Sequence, residues 1–153
     1  MIGALMCASA AVAASRITAE QVRQVMAATD AAAQDADVQT IGNYLGRAFF
    51  KYVDVRANEE PATARINRDQ YLQMIQEGWS KVDNYAYQRK DVVINVAPDG
   101  STAESFSTVV ETFAVDGNEM VSKVREYARY ELENGRPVIV NIDSQTLVGD
   151  TTP

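Results

Sequence analysis

Asp116-Gly117 and Asn134-Gly135 each stand between runs rich in β-branched and aromatic residues. Two-residue hairpins favour Asp-Gly and Asn-Gly because both central residues of the turn need φ > 0. The flanking stretches SFSTVVETFAV, MVSKVREYARYEL and PVIVNIDS have strand composition. Ser105 to Ser144 therefore reads as three antiparallel strands. Turn chemistry also fixes register. Val115 should face Asn118, which puts Val109, Glu111 and Phe113 on one face with Met120, Ser122 and Val124. The second turn pairs Tyr130 with Ile139, Ala128 with Asn141 and Glu126 with Asp143, provided no bulge intervenes. The other face then carries Thr108, Val110, Thr112, Val121, Lys123, Arg125, Tyr127, Val138, Val140 and Ile142. That is more apolar than a solvated sheet face.

Upstream, Thr18 followed by Gln21 is a capping-box pattern, and Val22, Val25, Met26 and Thr29 keep to one side of the helix it opens. Val38, Ile41, Tyr44 and Leu45 predict a short second helix ending near Gly46. Ala48 to Val55 reads as a strand. Asn58 to Thr63, polar and interrupted by Pro61, reads as a loop. Asn67 caps a third helix, Arg68 to about Val82, with Tyr71, Met74, Ile75 and Trp79 as its apolar stripe. Tyr85 to Val96 is a long strand that turns back at Pro98-Asp99-Gly100.

The chain has 153 residues, enough for one domain with a real core. Its net charge of -7 argues against nucleic-acid or anionic-membrane partners, which need basic surface. There is no histidine, which removes His-based triads and most zinc sites. Asp30, Asp35 and Asp37 lack the spacing of a calcium loop, and the glycines form no phosphate-binding motif. Neither a metal nor another cofactor is expected. Met1 to Ala14 is uncharged, apolar and small, like a secretory signal segment with cleavage near Ala13-Ala14, although no Lys or Arg precedes it. It is too short to cross a bilayer, so no stable membrane insertion is expected. Cys7, the single cysteine, lies inside it, and Met6 stands where a lipoprotein site needs a small residue. Export would leave a mature domain over 18–148 and a frayed tail over 149–153.

Helices ahead of a curled antiparallel sheet make an α+β layer fold. The helix at Thr18 to Gln34, the Asn67 to Val82 helix with Tyr71 and Trp79, and the closing hairpins together resemble the nuclear transport factor 2-like superfamily. That superfamily includes ketosteroid isomerase and the SnoaL-like cyclases. The resemblance covers roughly Ala19 to Val148 and rests on pattern and topology, not on a signature motif. It implies a cone-shaped curved antiparallel sheet with three N-terminal helices on its concave face, the cystatin-like roll. It also implies a cavity inside the cone and frequent dimerisation through the outer face, here at Val110, Tyr127, Val138 and Val140.

Within the cone, Glu111, Glu126 and Asp143 are the candidate catalytic acids, since two close carboxylates cannot both ionise easily. Tyr44, Tyr71, Trp79, Tyr130 and Asn141 are candidate ligand contacts, with Tyr87 beside them. An epoxide-hydrolase-like site would need an Asp-Arg-Asp set. Asp143 with Arg125 or Arg129 supplies the types, but those arginines fall on the outer face. Against each chemical role stands a plain one: acids solvated at the rim, tyrosines packed as core. The sequence favours an exported, dimeric, non-catalytic module that binds a small apolar ligand or another protein. The alternative is a small isomerase, lyase or hydrolase using acids of the cone.

Overall fold

The computed structural model describes residues 15–57 and 60–147, with 54–57 and 60–62 as backbone only. The expected export segment with Cys7 and the expected tail over 149–153 lie outside the described residues. The elements run α1 (Ala19–Gln34), α2 (Val38–Tyr44), β1 (Leu45–Ala57), β2 (Glu60–Asn67), α3 (Arg68–Trp79), β3 (Asp83–Val96), β4 (Thr102–Val115), β5 (Asn118–Glu133) and β6 (Arg136–Thr146). Six strands form one sheet in the order β2-β1-β6-β5-β4-β3. The α+β class and the curved sheet with its helices match the expectation. One ladder differs from it: β1 lies parallel to β6.

Both long helices start where their side chains satisfy the free backbone donors. Thr18 and Gln21 close a capping box, as do Asn67 and Gln70. α1 buries Val22, Val25, Met26, Thr29, Ala32 and Ala33. The apolar ones join Ala103, Ala128, Tyr130, Ile139 and Ile142 of the sheet in the main core. α2 ends at Tyr44, and Leu45 is already extended, so Gly46 belongs to β1. A Cβ there would stand 3.0 Å from Val138, so glycine lets β1 close against β6.

Of the loop expected over Asn58 to Thr63, Asn58 and Glu59 lie outside the described residues, and the rest is strand. Glu60–Asn67 forms the edge strand β2, paired antiparallel with β1 from Ala57↔Glu60 to Phe50↔Asn67. Pro61 is compatible with this because an edge strand has a side with no ladder to break.

The turns behave as the sequence requires. Asp116 and Gly117 have φ of 51° and 78°, and Asn134 and Gly135 have φ of 54° and 73°. Val115 faces Asn118, and Tyr130 faces Ile139. The register then slips by one, with Arg129 opposite Asn141, Ala128 opposite Ile142 and Glu126 opposite Ser144. The extra residue at the bulge is Val140. Beyond it Ile142 and Ser144 face inward, while Asn141 and Asp143 face outward, reversing the expected assignment.

Candidate functional site

The inner faces of β1 and β3 to β6 and the inner sides of the three helices line a cavity of about 410 Å³ that is open to solvent at one side. Its walls are mostly apolar, with Ile75, Trp79, Val109, Phe113, Val124 and Ile142 among them. α3 brings Tyr71 and Trp79 over the sheet. Tyr71 packs on Phe49 with ring centroids 5.1 Å apart, and Trp79 meets Tyr85 edge-on at 5.8 Å.

The charged floor is built from three neighbouring strands and one helix. Strand alternation puts Tyr85, Tyr87 and Arg89 on the inner face of β3. Arg89 Nη1 donates to Ser107 Oγ at 2.6 Å and to Glu126 Oε1 at 2.8 Å. Its Nε donates to Asp30 Oδ1 at 2.9 Å, and its Nη2 donates to Tyr87 at 2.7 Å. The Arg89 side chain is 11% exposed and that of Glu126 is 15% exposed. Burial works against the charge of Arg89, but Glu126, Tyr87 and Asp30 outweigh it and hold its pKa above the ordinary value. Burial raises the pKa of Asp30 by more than Arg89 lowers it. Among the described residues, the second carboxylate oxygen of Glu126 has no protein partner. The same holds for the Tyr71 hydroxyl, which is raised by burial and by the charges of Glu126 and Glu111.

Two further polar pairs line the cone. Tyr85 donates to Glu111 at 2.6 Å. Burial, then this bond, pushes the Tyr85 pKa up. Lys51 enters from β1 and donates to Ser144 Oγ at 2.8 Å. Burial lowers its pKa against the pull of Glu126, Asp143 and Glu111. Among the described residues no group of three acidic or cysteine side chains converges as metal ligands would.

Of the sequence candidates, Glu111, Glu126, Tyr71, Trp79, Tyr87 and Tyr130 line the cavity. The Tyr130 hydroxyl is sealed against Ser105 at 3.0 Å, and burial pushes its pKa up to about 12. Tyr44 packs against the core instead of lining the cavity. Asp143 faces outward because of the bulge at Val140, and it lines a groove with Phe106, Arg125 and Tyr127. Asn141 is turned out by the same bulge and holds the Phe50 carbonyl at 3.3 Å. Val138, expected at a dimer interface, is 3% exposed because β1 covers it.

Arg89 and Lys51 are not among the sequence candidates, and Asp30 enters there only as a rejected calcium ligand. Alternation in YAYQRK places Arg89 with Tyr85 and Tyr87, and alternation from Phe49 carries Lys51 inward, so both had a local signal. Asp30 had none, since its role depends on where α1 crosses β3.

No protein-family model and no curated protein matches this sequence. Solved structures do match its fold. A nuclear transport factor 2-like protein with a cystatin-like fold from Novosphingobium aromaticivorans superposes with a TM-score of 0.66 at 18% identity, over 86% of this chain and 83% of that one. A chain from Xanthomonas campestris, provisionally described as a calcium/calmodulin-dependent protein kinase II association domain, gives 0.66 at 15% identity over 90% and 94%. A provisional scytalone dehydratase from Novosphingobium aromaticivorans gives 0.64 at 10% identity over 88% and 87%. The curved sheet, the helices on its concave face and these superpositions identify the fold as that of the nuclear transport factor 2-like proteins, the cystatin-like α+β roll.

Proposed function

We propose that the cone takes a small, mostly apolar molecule and catalyses a proton transfer on it, with Glu126 as general base. The observation carrying this reading is how Glu126 is held. Arg89 fixes one oxygen at 2.8 Å, the other has no protein partner among the described residues, and the side chain lines a mostly apolar cavity of about 410 Å³. A positioned carboxylate of this kind contributes roughly 10²- to 10⁴-fold to a proton transfer. Tyr71, across the cavity on α3, offers a hydroxyl to an oxygen on which charge develops. The mostly apolar walls lower the local dielectric, which strengthens both interactions.

Isomerase or lyase chemistry fits these residues better than hydrolysis. Asp30 completes an Asp-Arg-Glu set but does not line the cavity, so Arg89 presents only one carboxylate to a bound molecule. A non-catalytic binding module would use the same cavity. The ion-paired glutamate inside it favours the enzyme. The test is deuterium incorporation from heavy water into a panel of small ketones, followed by NMR. Wild type should exchange the acidic C–H at least ~100-fold faster than Glu126→Gln. Equal rates in the two proteins would overturn the reading.

Self-association has its own supporting observation. Phe106 and Val121 are 44% and 45% exposed on the outer face, and Phe106 lies against Tyr127 with centroids 5.2 Å apart. We infer a homodimer through this face around Val110 and Tyr127, with Val138 excluded by its burial. The likeness to a chain described as an association domain is compatible with this. Light scattering should give twice the monomer mass for wild type and monomer mass for Val121→Glu. A monomeric wild type would overturn it. Export is proposed on the Met1 to Ala14 segment alone. Secreted protein beginning at Ala14 or Ser15 supports it, and a retained Met1 overturns it.

A further inference from the structure

We propose that Lys51 is a covalent anchor in the cone. Its amine condenses with the carbonyl carbon of a small apolar aldehyde or ketone, and Glu126 removes a proton from the carbon beside the resulting iminium. This rests on the reading of the cone as a proton-transfer site and names its substrate class.

The first observation is placement. Lys51 stands opposite Ile142 in the β1–β6 ladder, lines the cavity and is 9% exposed. The second is its partnering. Arg89 directs four of its five N–H donors at Asp30, Glu126, Ser107 and Tyr87. Lys51 makes one hydrogen bond, to Ser144 Oγ, and forms no ion pair within 4.0 Å among the described residues. A lysine kept only for its charge would be expected to have a carboxylate against it, because burying an unpaired ammonium is costly. Burial instead holds its pKa below the ordinary value, which increases the fraction present as free amine.

The third observation is charge. Glu111 and Glu126 line the cone and Asp30 stands behind Arg89, so three carboxylates meet the two cations Arg89 and Lys51. That balance disfavours an anionic ligand and suits a neutral carbonyl compound.

The chemistry balances without an oxidant or reductant. The Lys51 nitrogen pair forms the C–N bond as the carbonyl pair moves to oxygen. A proton passes from nitrogen to that oxygen, a second proton is taken up, and water leaves to give the iminium. Glu126 then takes the neighbouring proton, and the C–H pair flows toward nitrogen to give a neutral enamine. Return of a proton to carbon and addition of water regenerate Lys51.

The test uses cyclohexanone with wild type, Lys51→Arg and Glu126→Gln. One arm adds sodium cyanoborohydride and maps the adduct by peptide mass. The other follows α-deuteration in heavy water. Fluorescence of Trp79, the only tryptophan and a lining residue, reports probe entry and the intact fold of each variant. The expected result is one adduct on Lys51 in wild type and Glu126→Gln, none in Lys51→Arg, and at least ~100-fold slower deuteration in both variants. Deuteration by Lys51→Arg at the wild-type rate overturns the anchor and leaves the base reading standing. An adduct on Lys51 with wild-type deuteration in Glu126→Gln overturns the base reading and leaves the anchor. Labelling spread evenly over Lys51 and the exposed Lys81 and Lys90 means general amine reactivity and overturns the anchor.

Discussion

Arg89 Nη1 stands 2.8 Å from Glu126 Oε1, although β3 and β5 are not neighbours. The guanidinium reaches across β4, touching Ser107 at 2.6 Å on the way, and its Nε holds Asp30 of α1 at 2.9 Å. One side chain thus ties three strands and a helix together at the base of the cavity. The network orients the proposed base and also secures the fold.

Arg89→Met should therefore be costly. It strands two partly buried carboxylates, and breaking such a pair by removing one partner typically costs about 3–5 kcal/mol. Urea unfolding of the variant measures this, and a loss below about 1 kcal/mol would mean that the network carries little stability.

Ser105 and Tyr130 give a smaller test deep in the core. Their hydroxyls share a bond of 3.0 Å, and both residues are 1% exposed. Ser105→Ala leaves the Tyr130 hydroxyl without its partner and should cost about 1–3 kcal/mol. Tyr130→Phe in the Ser105→Ala background should recover part of that loss in chemical denaturation. If it recovers nothing, packing and not the hydrogen bond sets the cost.

Lys51 makes stability depend on pH in the alkaline range. Its folded pKa is depressed, first by burial, below the ordinary 10.5. Between the folded pKa and 10.5 the unfolded chain binds more protons, so stability from this group rises with pH through that window. It is lost as pH falls through the folded pKa. Lys51→Met lacks the effect. At pH 7 the variant should melt above wild type, and the gap should narrow near pH 10. A gap that stays constant would show that the ammonium is not penalised by the fold.

Two glycines separate backbone strain from steric conflict. Gly117 has φ of +78° and open space where a Cβ would be, so Gly117→Ala should cost about 1 kcal/mol for conformation alone. Gly100 has φ of +70°, and an added Cβ would lie 2.8 Å from the Cβ of Arg16. Its Ala variant should cost more, because it also disturbs the contact where Ile17 N–H donates to the Gly100 carbonyl at 2.8 Å. Thermal melts of the pair check the ranking. Equal losses would mean that the chain near Arg16 shifts freely.

Much of the fold could be read from local chemistry. Thr18 and Asn67 announced their helices because capping involves residues only three apart. Asp116-Gly117 and Asn134-Gly135 set two registers because few other dipeptides accept positive φ twice in succession. Strand alternation from the first turn then put Glu111 and Glu126 on the concave face. β2 was hidden because an edge strand with a proline and polar residues looks like a loop until β1 pairs with it.

Sequence alone determined the helix starts, the hairpin turns, the α+β class and the inward direction of two acids, since each follows from interactions between residues close in the chain. Tertiary structure decided the rest of the site. The bulge at Val140 turned Asp143 and Asn141 outward in favour of Ile142 and Ser144, and no residue type signals an extra residue in a ladder. Packing of α1 over β3 brought Asp30 to Arg89, and the parallel approach of β1 to β6 carried Lys51 beside Ser144. These contacts join residues 59 and 93 positions apart, and they depend on how layers cross instead of on local preference.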